Sequence, residues 1–405
     1  MDIRPILSTL RRHKTAAALI VIEIALSCAI VCNALFLIST RLERIDRPTG
    51  MDDAALLRVN VANIGKVEDD DALARRDAAA LRAVPGVLDA TVLNHVPFDQ
   101  SSWNSSVSVQ PNQDRPTLNA GVYLGDERMV ETLGLRIIAG RDFLPEEYID
   151  WGELQAANDV AIPATIVTRT AANVLFPGED PLGRELHDFW GSKPVRIVGV
   201  VEDLIRPNDN GGPTQAYYSL LLPVRPTFGR YAIRTAPERR DEVLKAAVKA
   251  LEDNNPNRII SDEGTFEEVK RDYYRQDTAM AWLLLTVCAV LLLITALGIV
   301  GLASFWVQQR TKQIGVRRAL GATRTQVLRY FQTENFLLVS VGIVVGMLGA
   351  YGLNQLLMSH YALPRLPLWY LPVGALALWL LGQVAVFGPA RRAAAVPPAV
   401  ATRSV

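Results

Sequence analysis

The residue types that most often carry catalysis or bind metals are few and scattered in this 405-residue chain. The four histidines are His13, His95, His187 and His360, and none of their spacings matches a metal-ligand motif. Cys28 and Cys32 lie one helical turn apart, a spacing open to a metal or redox pair, but in an apolar run packed small residues are the simpler interpretation. No set of nucleophile, base and acid can be assembled. The sequence therefore predicts no catalytic site and no metal site.

The densest pattern of charge is a basic segment, 308–330, which stands between two long apolar runs and contains no Asp or Glu. Its basic residues are Arg310, Lys312, Arg317, Arg318, Arg324 and Arg329. Residues 309–320 can form one helix, which Gly321 would end because glycine adopts the left-handed conformation easily. Thr323 and Gln326 then match a capping box that begins a second helix. A basic helical segment of this kind can bind anionic lipid headgroups or dock into a partner protein.

Four apolar runs are long enough to cross a hydrocarbon core of about 30 Å as helices. We assign the spans to 15–40, 278–307, 332–358 and 366–388. The first is interpreted as a retained anchor, because it is longer than the apolar core of a signal peptide and no cleavage site ends it. Pro367 and Pro372 predict a kinked or irregular start to the fourth.

Charge is distributed unevenly around these spans. Residues 41–277 contain 28 Lys or Arg and 39 Asp or Glu, whereas the acidic residues elsewhere are only Asp2, Glu23 and Glu334. Because positive charge near spans stays in the cytoplasm, the terminus 1–14, the segment 308–331 and the tail 389–405 are predicted to be cytoplasmic. The region 41–277 is then predicted to lie on the extracytoplasmic side of the membrane. It contains no cysteines, so no disulfide can stabilise it and it must fold around its own hydrophobic core.

The two ends of the outer region carry the same pattern of strand, helix and strand, at 55–97 and 226–264. We predict that they form one split α/β subdomain, with two unrelated βαβ segments as the alternative. The insertion at 98–225 is rich in turn residues, and its strand candidates 121–124, 164–168 and 195–201 predict a mainly β subdomain. Its aromatic residues could line a contact surface or fill a core: Phe98, Trp103, Trp151, Phe189, Trp190, Tyr217 and Tyr218.

From Thr265 the sequence has helical spacing, without Gly or Pro as far as Thr278. A continuous helix is therefore predicted from the outer region into the second span. Such a stalk could carry movement across the membrane.

Polar and small residues within the spans are further candidates. Glu23 lies inside the first span, where an ionisable side chain is costly, so we expect either a functional role or an interhelical hydrogen bond. Gly342, Gly346 and Gly349 form a stripe that permits close helix approach, either between two copies or within one chain.

The stretch QIGVRRALGATRTQVLRYF at 313–331 resembles the signature loop of FtsX/MacB-type ABC transporter permeases. The positions that carry the resemblance are Ile314, Gly315, Arg317, Arg318, Ala319, Leu320, Gly321, Ala322 and Thr323. Gln313 departs from the family, which often has Glu there, so no acidic contact is carried over to this position. Stretches at 140–143, 175–185 and 195–204 resemble landmarks of the MacB-type periplasmic domain.

The resemblance implies an α-helical integral membrane protein with four transmembrane helices and a large α+β extracytoplasmic domain. That domain would be a MacB-type periplasmic domain at 41–277, with a split βαβ porter-like part and an inserted mainly β part. Residues 278–400 would form the FtsX-like permease region, in a bacterial inner membrane. Such permeases couple ATP hydrolysis to motion of the periplasmic domain, which is called mechanotransmission, and the positions between Ile314 and Thr323 would contact the ATPase.

No phosphate loop of the form G-x-x-x-x-G-K-[ST] occurs in the sequence. The resemblance then implies a separate ABC ATPase subunit that binds ATP and Mg, and no cofactor on this chain. Further implied partners are a second copy or a related permease, a periplasmic membrane-fusion protein, and membrane lipid, while no nucleic acid is expected. The expected function is efflux or export of a periplasmic or membrane-associated substrate. A regulatory or sensory complex that does not transport is the alternative.

Overall fold

The computed structural model describes residues 14–99, 102–156, 160–188, 193–209, 212–361 and 366–397. The chain divides into two units. The helical unit comprises the described residues up to Ile45 and from Gln276 onward, and the mixed unit runs from Asp46 to Arg275. Each is described below by itself.

The helices and strands follow one another along the chain. The first half contains α1 (Lys14–Ile45), β1 (Leu56–Asn63), α2 (Asp70–Arg82), β2 (Val87–Val92), β3 (Asn104–Val107), β4 (Leu118–Leu124), α3 (Met129–Leu133), β5 (Ile137–Gly140), β6 (Ile149–Asp150), α4 (Trp151–Ala156), β7 (Ala164–Thr168), α5 (Arg169–Leu175), β8 (Glu185–Leu186) and β9 (Val195–Val201). The second half contains β10 (Ser219–Leu222), β11 (Val224–Arg225), β12 (Arg230–Thr235), α6 (Arg240–Asn254), β13 (Arg258–Thr265), α7 (Phe266–Tyr273), α8 (Arg275–Gln309), α9 (Thr311–Ala319), α10 (Arg324–Tyr361) and α11 (Tyr370–Ala394).

The two βαβ patterns of the mixed unit form a single four-stranded antiparallel sheet in the order β13-β1-β12-β2. Helices α2 and α6 each connect two of its strands, an arrangement of the split βαβ kind. The apolar sides of the sheet and of both helices share one buried core, which includes Val59, Leu81, Ile233 and Val243. The prediction of one split subdomain is therefore confirmed, and the alternative of two unrelated segments is wrong.

The insertion is built on a second sheet in the order β3-β4-β10-β7-β9-β5, with β8 paired to β9. This sheet is mixed, because β10 runs parallel to β4 and β7 runs parallel to β9. Strands β7 and β9 have the bounds that the sequence predicts, whereas β4 begins at Leu118, three residues earlier than expected. The mainly β prediction is confirmed, although it missed the short helices α3, α4 and α5.

The predicted continuous stalk helix is interrupted at one residue. Thr265 and Glu268 form a capping box that begins α7, but the helix ends at Tyr273 and α8 begins only at Arg275. Tyr274 between them has ψ near 8° rather than the helical value, and its side chain is 1% exposed. The prediction of an unbroken helix is wrong, because Tyr274 leaves the helical conformation at the point where its side chain is buried.

The helical unit contains four helices long and apolar enough to cross a membrane, over Ala17–Ile45, Arg275–Gln309, Arg324–Leu356 and Tyr370–Ala394. They share a core in which Ile24, Ile299, Ile343 and Leu378 come one from each helix. The four predicted spans thus correspond to four long apolar helices. The fourth helix begins at Tyr370, so Pro367 precedes it and Pro372 stands in its first turn, where proline is tolerated.

Candidate functional site

The basic segment is a short helix followed by a tight turn, and the turn is held by backbone hydrogen bonds. Gly321 has φ of +98°, and the amides of Gly321 and Ala322 donate to the carbonyls of Arg318 at 3.2 Å and Arg317 at 3.0 Å. This pair of bonds is the Schellman motif, which requires a left-handed residue at the position of the glycine. The predicted glycine stop is therefore present.

The predicted capping box begins the next helix, α10. The Thr323 amide donates to the Gln326 side-chain oxygen at 2.9 Å, and the Gln326 amide donates to Thr323 Oγ1 at 3.2 Å. The start of the first helix differs from the prediction, because Gln309 ends α8 and Arg310 has non-helical angles. The helix α9 therefore begins at Thr311 and not at 309.

One side of α9 packs against the rest of the helical unit. Ile314 is 5% exposed and Gly315 is buried, and Ile314 joins a small apolar cluster with Val307, Val327, Phe331, Ala390, Ala393 and Ala394. This cluster contains residues from α8, α10 and α11. The helix is therefore seated on all three of its neighbours.

The adjacent arginines Arg317 and Arg318 anchor α9 to two different helices. Arg318 Nη1 donates to the carbonyl oxygen of Ala394, at the end of α11, at 2.6 Å. The Arg317 guanidinium lies over the ring of Tyr330 in α10, 5.1 Å from its centroid. The two contacts therefore join α9 to both α11 and α10.

A buried ion pair fixes the break between α8 and α9. Arg310 Nη1 donates to both carboxylate oxygens of Glu334 in α10, at 3.0 and 2.9 Å, and the two side chains are 9% and 2% exposed. The Arg310 guanidinium also lies 5.6 Å from the Trp306 ring centroid. The residue pattern by itself does not predict this pair. The only signal for it is one carboxylate at the edge of an apolar run, close in sequence to a segment without acidic residues.

The opposite side of α9 is exposed. Val316 is 49% exposed and Leu320 is 82% exposed, and they stand four residues apart on one face of the helix. Lys312, Gln313 and Arg317 beside them are also exposed. Ala319, Gly321 and Thr323 continue the exposed surface, and Ala322 is half-buried. We call the pair Val316 and Leu320 the apolar ridge.

The side chain of Glu23 in α1 lies against α8. Its carboxylate is so close to Gly298 that a Cβ there would be 2.7 Å from each oxygen, and one turn further along α1 the hydroxyls of Ser27 and Thr295 hydrogen-bond at 2.8 Å. Within the part of the chain that the structure describes, Glu23 has no hydrogen bond. Gly298 therefore makes room for the Glu23 carboxylate, which is only half-buried between α1 and α8.

The glycine stripe of α10 faces α1 of the same chain. A Cβ at Gly342 would lie 2.8 Å from the Cβ of Ile24, and a Cβ at Gly346 would lie 2.6 Å from the carbonyl oxygen of Ala25. At Gly349 the nearest atom, in Ala29, is 3.9 Å away. The first two glycines therefore permit a backbone approach that any side chain would prevent.

The cysteines and aromatic residues singled out by their spacing fill cores. Cys28 and Cys32 are buried with sulfurs 4.0 Å apart, and no group of three or more metal-ligand side chains occurs in the described ranges. Trp103 and Trp151 pack on each other and on Phe228. Phe189 and Trp190 lie outside the described residues.

Comparison with known proteins accounts for most of the chain. Residues 17–258 match the MacB-like periplasmic core domain family, and residues 285–398 match the FtsX-like permease C-terminal family. The uncharacterized ABC transporter permease YknZ of Bacillus subtilis (strain 168) is 26% identical over 280 residues, which are 66% of this chain and 66% of that protein.

The macrolide export ATP-binding/permease protein MacB of Bartonella henselae is 27% identical over 350 residues, which are 83% of this chain and 49% of that protein. The chain thus spans about half the length of the MacB relatives that it matches. Among solved structures, the periplasmic region of MacB from Actinobacillus actinomycetemcomitans has a TM-score of 0.35 and 17% identity, and covers 56% of this chain and 97% of that one. Since the periplasmic core family covers more than half of the chain and the permease family covers its C-terminal helices, this protein belongs to the MacB/FtsX-type ABC transporter permeases.

Proposed function

We propose that this chain is the transmembrane permease subunit that couples ATP hydrolysis on a partner ABC ATPase to motion of the mixed unit. The observation that carries the proposal is the apolar ridge, Val316 and Leu320, exposed on a basic helix whose other face is anchored. Exposed Lys312, Gln313 and Arg317 on the same helix favour an aqueous rather than a lipid surrounding for this face. Large apolar side chains that remain exposed in water are typical of a surface that binds another protein.

The anchors of α9 make it suited to pass on a push. Removing one partner of a buried ion pair costs about 3–5 kcal/mol, so the Arg310–Glu334 pair resists separation of the break before α9 from α10. The hydrogen bond from Arg318 to Ala394 does the same toward α11. A partner that displaces the apolar ridge would therefore move the helices behind it as one body instead of bending the segment.

The proposal includes an orientation and further partners. The basic segment and both termini are in the cytoplasm, the mixed unit is in the periplasm, and the helical unit spans a bacterial inner membrane, in keeping with the charge distribution. ATP and Mg are bound by the ATPase. A second permease copy or a related permease and a periplasmic membrane-fusion protein complete the assembly. Several relatives are named for macrolide export, which supports export of a periplasmic or membrane-associated substrate as the function.

Truncation of two strongly exposed leucines, one on α9 and one on α10, tests the docking surface. The ABC ATPase that copurifies with the tagged chain from its own membranes is cloned, and its affinity for each purified permease variant is measured by interferometry. Leu320→Ala should weaken binding by about tenfold, because loss of one well-packed interface side chain costs on the order of 1.4 kcal/mol. Leu348→Ala is the control, since Leu348 is 72% exposed on α10 within a membrane span and should leave binding unchanged.

Turnover gives a second readout. The combined variant Val316→Ala with Leu320→Ala should also lose ATP hydrolysis that depends on the permease in proteoliposomes. Unaltered affinity and turnover in that variant, with correct folding shown by gel filtration, would exclude the apolar ridge as the ATPase contact.

A further inference from the structure

Two short segments join the mixed unit to the helices α1 and α8, and one carboxylate contacts both. Asp209, in the loop after β9, accepts hydrogen bonds from the hydroxyls of Tyr273 at 3.0 Å and Tyr274 at 2.9 Å. The Arg47 guanidinium lies 3.5 Å from the same carboxylate. Arg47 follows α1 closely in sequence, and Tyr273 and Tyr274 directly precede α8. We call Asp209 with these three side chains the junction clamp.

The junction clamp is closed to solvent. The Asp209 side chain has no exposed surface, and Arg47 retains 14%. Phe98 packs against both tyrosines, with ring centroids 5.1 Å from Tyr273 and 5.2 Å from Tyr274. Phe98 itself has φ of +65°, a conformation that a bulky residue adopts only when its surroundings impose it. The tyrosine rings therefore cannot swing away without disturbing a packed cluster.

The segment after α1 is held by the same part of the insertion. The amide of Ile205 donates to the carbonyl oxygen of Thr49 at 2.8 Å, and the Tyr217 hydroxyl donates to that of Pro48 at 2.9 Å. Gly50 has φ of +87°, and a side chain there would collide with the backbone carbonyl of Asp203. The insertion thus contacts both junction segments, although it lies far from both of them in the sequence.

The clamp stands at the point where the stalk lacks helical continuity. Tyr274 has non-helical backbone angles between α7 and α8, although its amide still donates to Lys270, and such a local departure from the helix would otherwise be a place where the chain can bend. Asp209 supports this position with hydrogen bonds from the two tyrosine hydroxyls. A charged acceptor with several donors makes stronger hydrogen bonds than neutral pairs do.

We propose that Asp209 is a positioning residue for coupling, which makes the two junction segments and the insertion one rigid body. Displacement of α1 or α8 then moves the mixed unit instead of being lost in bending at Tyr274. This inference rests on the proposed function, because it assumes that ATP hydrolysis displaces these helices.

The test compares Asp209→Asn with the matched control Asp203→Asn. Asp203 lies in the same loop, but its carboxylate accepts from the Thr170 amide and takes no part in the clamp. The permease is studied in complex with the ATPase that copurifies with it, by hydrogen exchange with and without ATP plus vanadate and by ATP turnover. The double variant Tyr273→Phe with Tyr274→Phe breaks the same hydrogen bonds from the other side. It removes only the two hydroxyls and keeps the packing of the rings.

In the wild type and in Asp203→Asn, trapping with ATP and vanadate should alter exchange in β12 and β13. In Asp209→Asn and in the double tyrosine variant this response should be lost, while ATPase affinity, kcat and KM for ATP stay unchanged. Exchange of the Tyr274 amide, which donates to Lys270 at 3.1 Å, should rise by about tenfold, as expected when one hydrogen bond to a charged group is lost. If Asp209 only stabilised the fold, the variants would be less stable, but they would not lose the hydrogen-exchange response to ATP while keeping normal ATP turnover.

The outcomes distinguish the two proposals. If both variants respond to ATP as the wild type does, the role of Asp209 is overturned and the proposed function stands. If no ATPase binds the wild type, or if ATP leaves exchange in its mixed unit unchanged, the proposed function fails and the role of Asp209 falls with it.

Discussion

Some buried ionisable side chains in the described part of this protein have hydrogen-bond partners and others do not. Glu334 and Asp209 each accept hydrogen bonds from donors that lie at a helix interruption, Arg310 and Tyr274. His95 is different, because its side chain is fully buried and neither ring nitrogen has a hydrogen bond within the described residues. Its ring packs edge-on against Tyr123 at 4.9 Å. The consequence of that burial is a dependence of stability on pH.

Burial, aided by the nearby positive charge of Arg230, lowers the pKa of His95 to about 3 from 6.5. Above pH 6.5 both folded and unfolded chains are neutral here, so His95 has no effect. As the pH falls below 6.5 the unfolded chain binds a proton that the folded chain excludes, and stability is lost. Between pH 6.5 and 5 the loss should be about 2 kcal/mol.

His95→Leu should remove about 2 kcal/mol of that difference, because an apolar residue of similar size binds no proton. Denaturant unfolding of the detergent-solubilised chain, followed by near-UV circular dichroism at pH 6.5 and 5, measures it. His187→Gln is the control, since the pairing of His187 with Ser108 uses backbone groups only. An unaltered pH dependence in His95→Leu would show that other groups cause it.

At the scale of elements, α10 shows how one helix serves two neighbours. Its glycine face lies against α1, and Asn335 on another face donates to the carbonyl oxygen of Gly382 in α11 at 2.8 Å. Small residues allow the backbones of α1 and α10 to approach closely, which is the main source of helix association where lipid removes the hydrophobic driving force. The glycines differ in how much room surrounds them.

Gly346→Ala should destabilise the helical unit by about 1–3 kcal/mol, because the new methyl group would overlap the backbone of α1. Gly352→Ala should be neutral or slightly stabilising, since nothing lies within 4 Å of a Cβ at that position. Thermal unfolding of the two variants in the same detergent compares them directly. Equal stability of the pair would show that α1 and α10 do not pack this closely in solution.

At the scale of the whole molecule, the charge distribution and the two units agree in chain position. The acidic region predicted from 41 to 277 corresponds to the mixed unit, Asp46 to Arg275, and the basic segment falls entirely in the helical unit. Since positive charge near spans sets orientation, we expect the basic segment to face the cytoplasm and the mixed unit to face the opposite aqueous compartment. This expectation has a direct chemical test.

Cysteine labelling in intact cells tests the orientation. Lys249→Cys places a thiol in the mixed unit at a site where the native side chain is 73% exposed, and it should react with a membrane-impermeant maleimide. Arg324→Cys, also at an exposed position, should react only after the cells are permeabilised. The native chain is the control, because its three cysteines are all buried. Labelling of Arg324→Cys in intact cells would reverse the proposed topology.

Much of the local structure could be read from the residues. The strands β7 and β9 stand where alternation places them, and the turn at Gly321 with its Thr323 cap follows from the special backbone needs of those positions. The break at Tyr274 could not be read in this way, since nothing in the residues around it disfavours a helix. It depends on Phe98 and Asp209, which approach from distant parts of the chain.

The sequence alone determined the four long apolar helices, the two βαβ patterns, the insertion and the basic segment, because hydrophobic periodicity, charge and turn chemistry act over a few residues. Strand pairing between distant parts of the chain decided that the two patterns share one sheet. The tertiary structure alone decided that Gly342 and Gly346 face α1, that Glu334 pairs with Arg310, and that Asp209 meets Arg47 and the two tyrosines. Periodicity states which face of an element is apolar, but not which other element covers it. A contact across 24 or 162 positions is set by how whole elements pack, and only the folded chain specifies that.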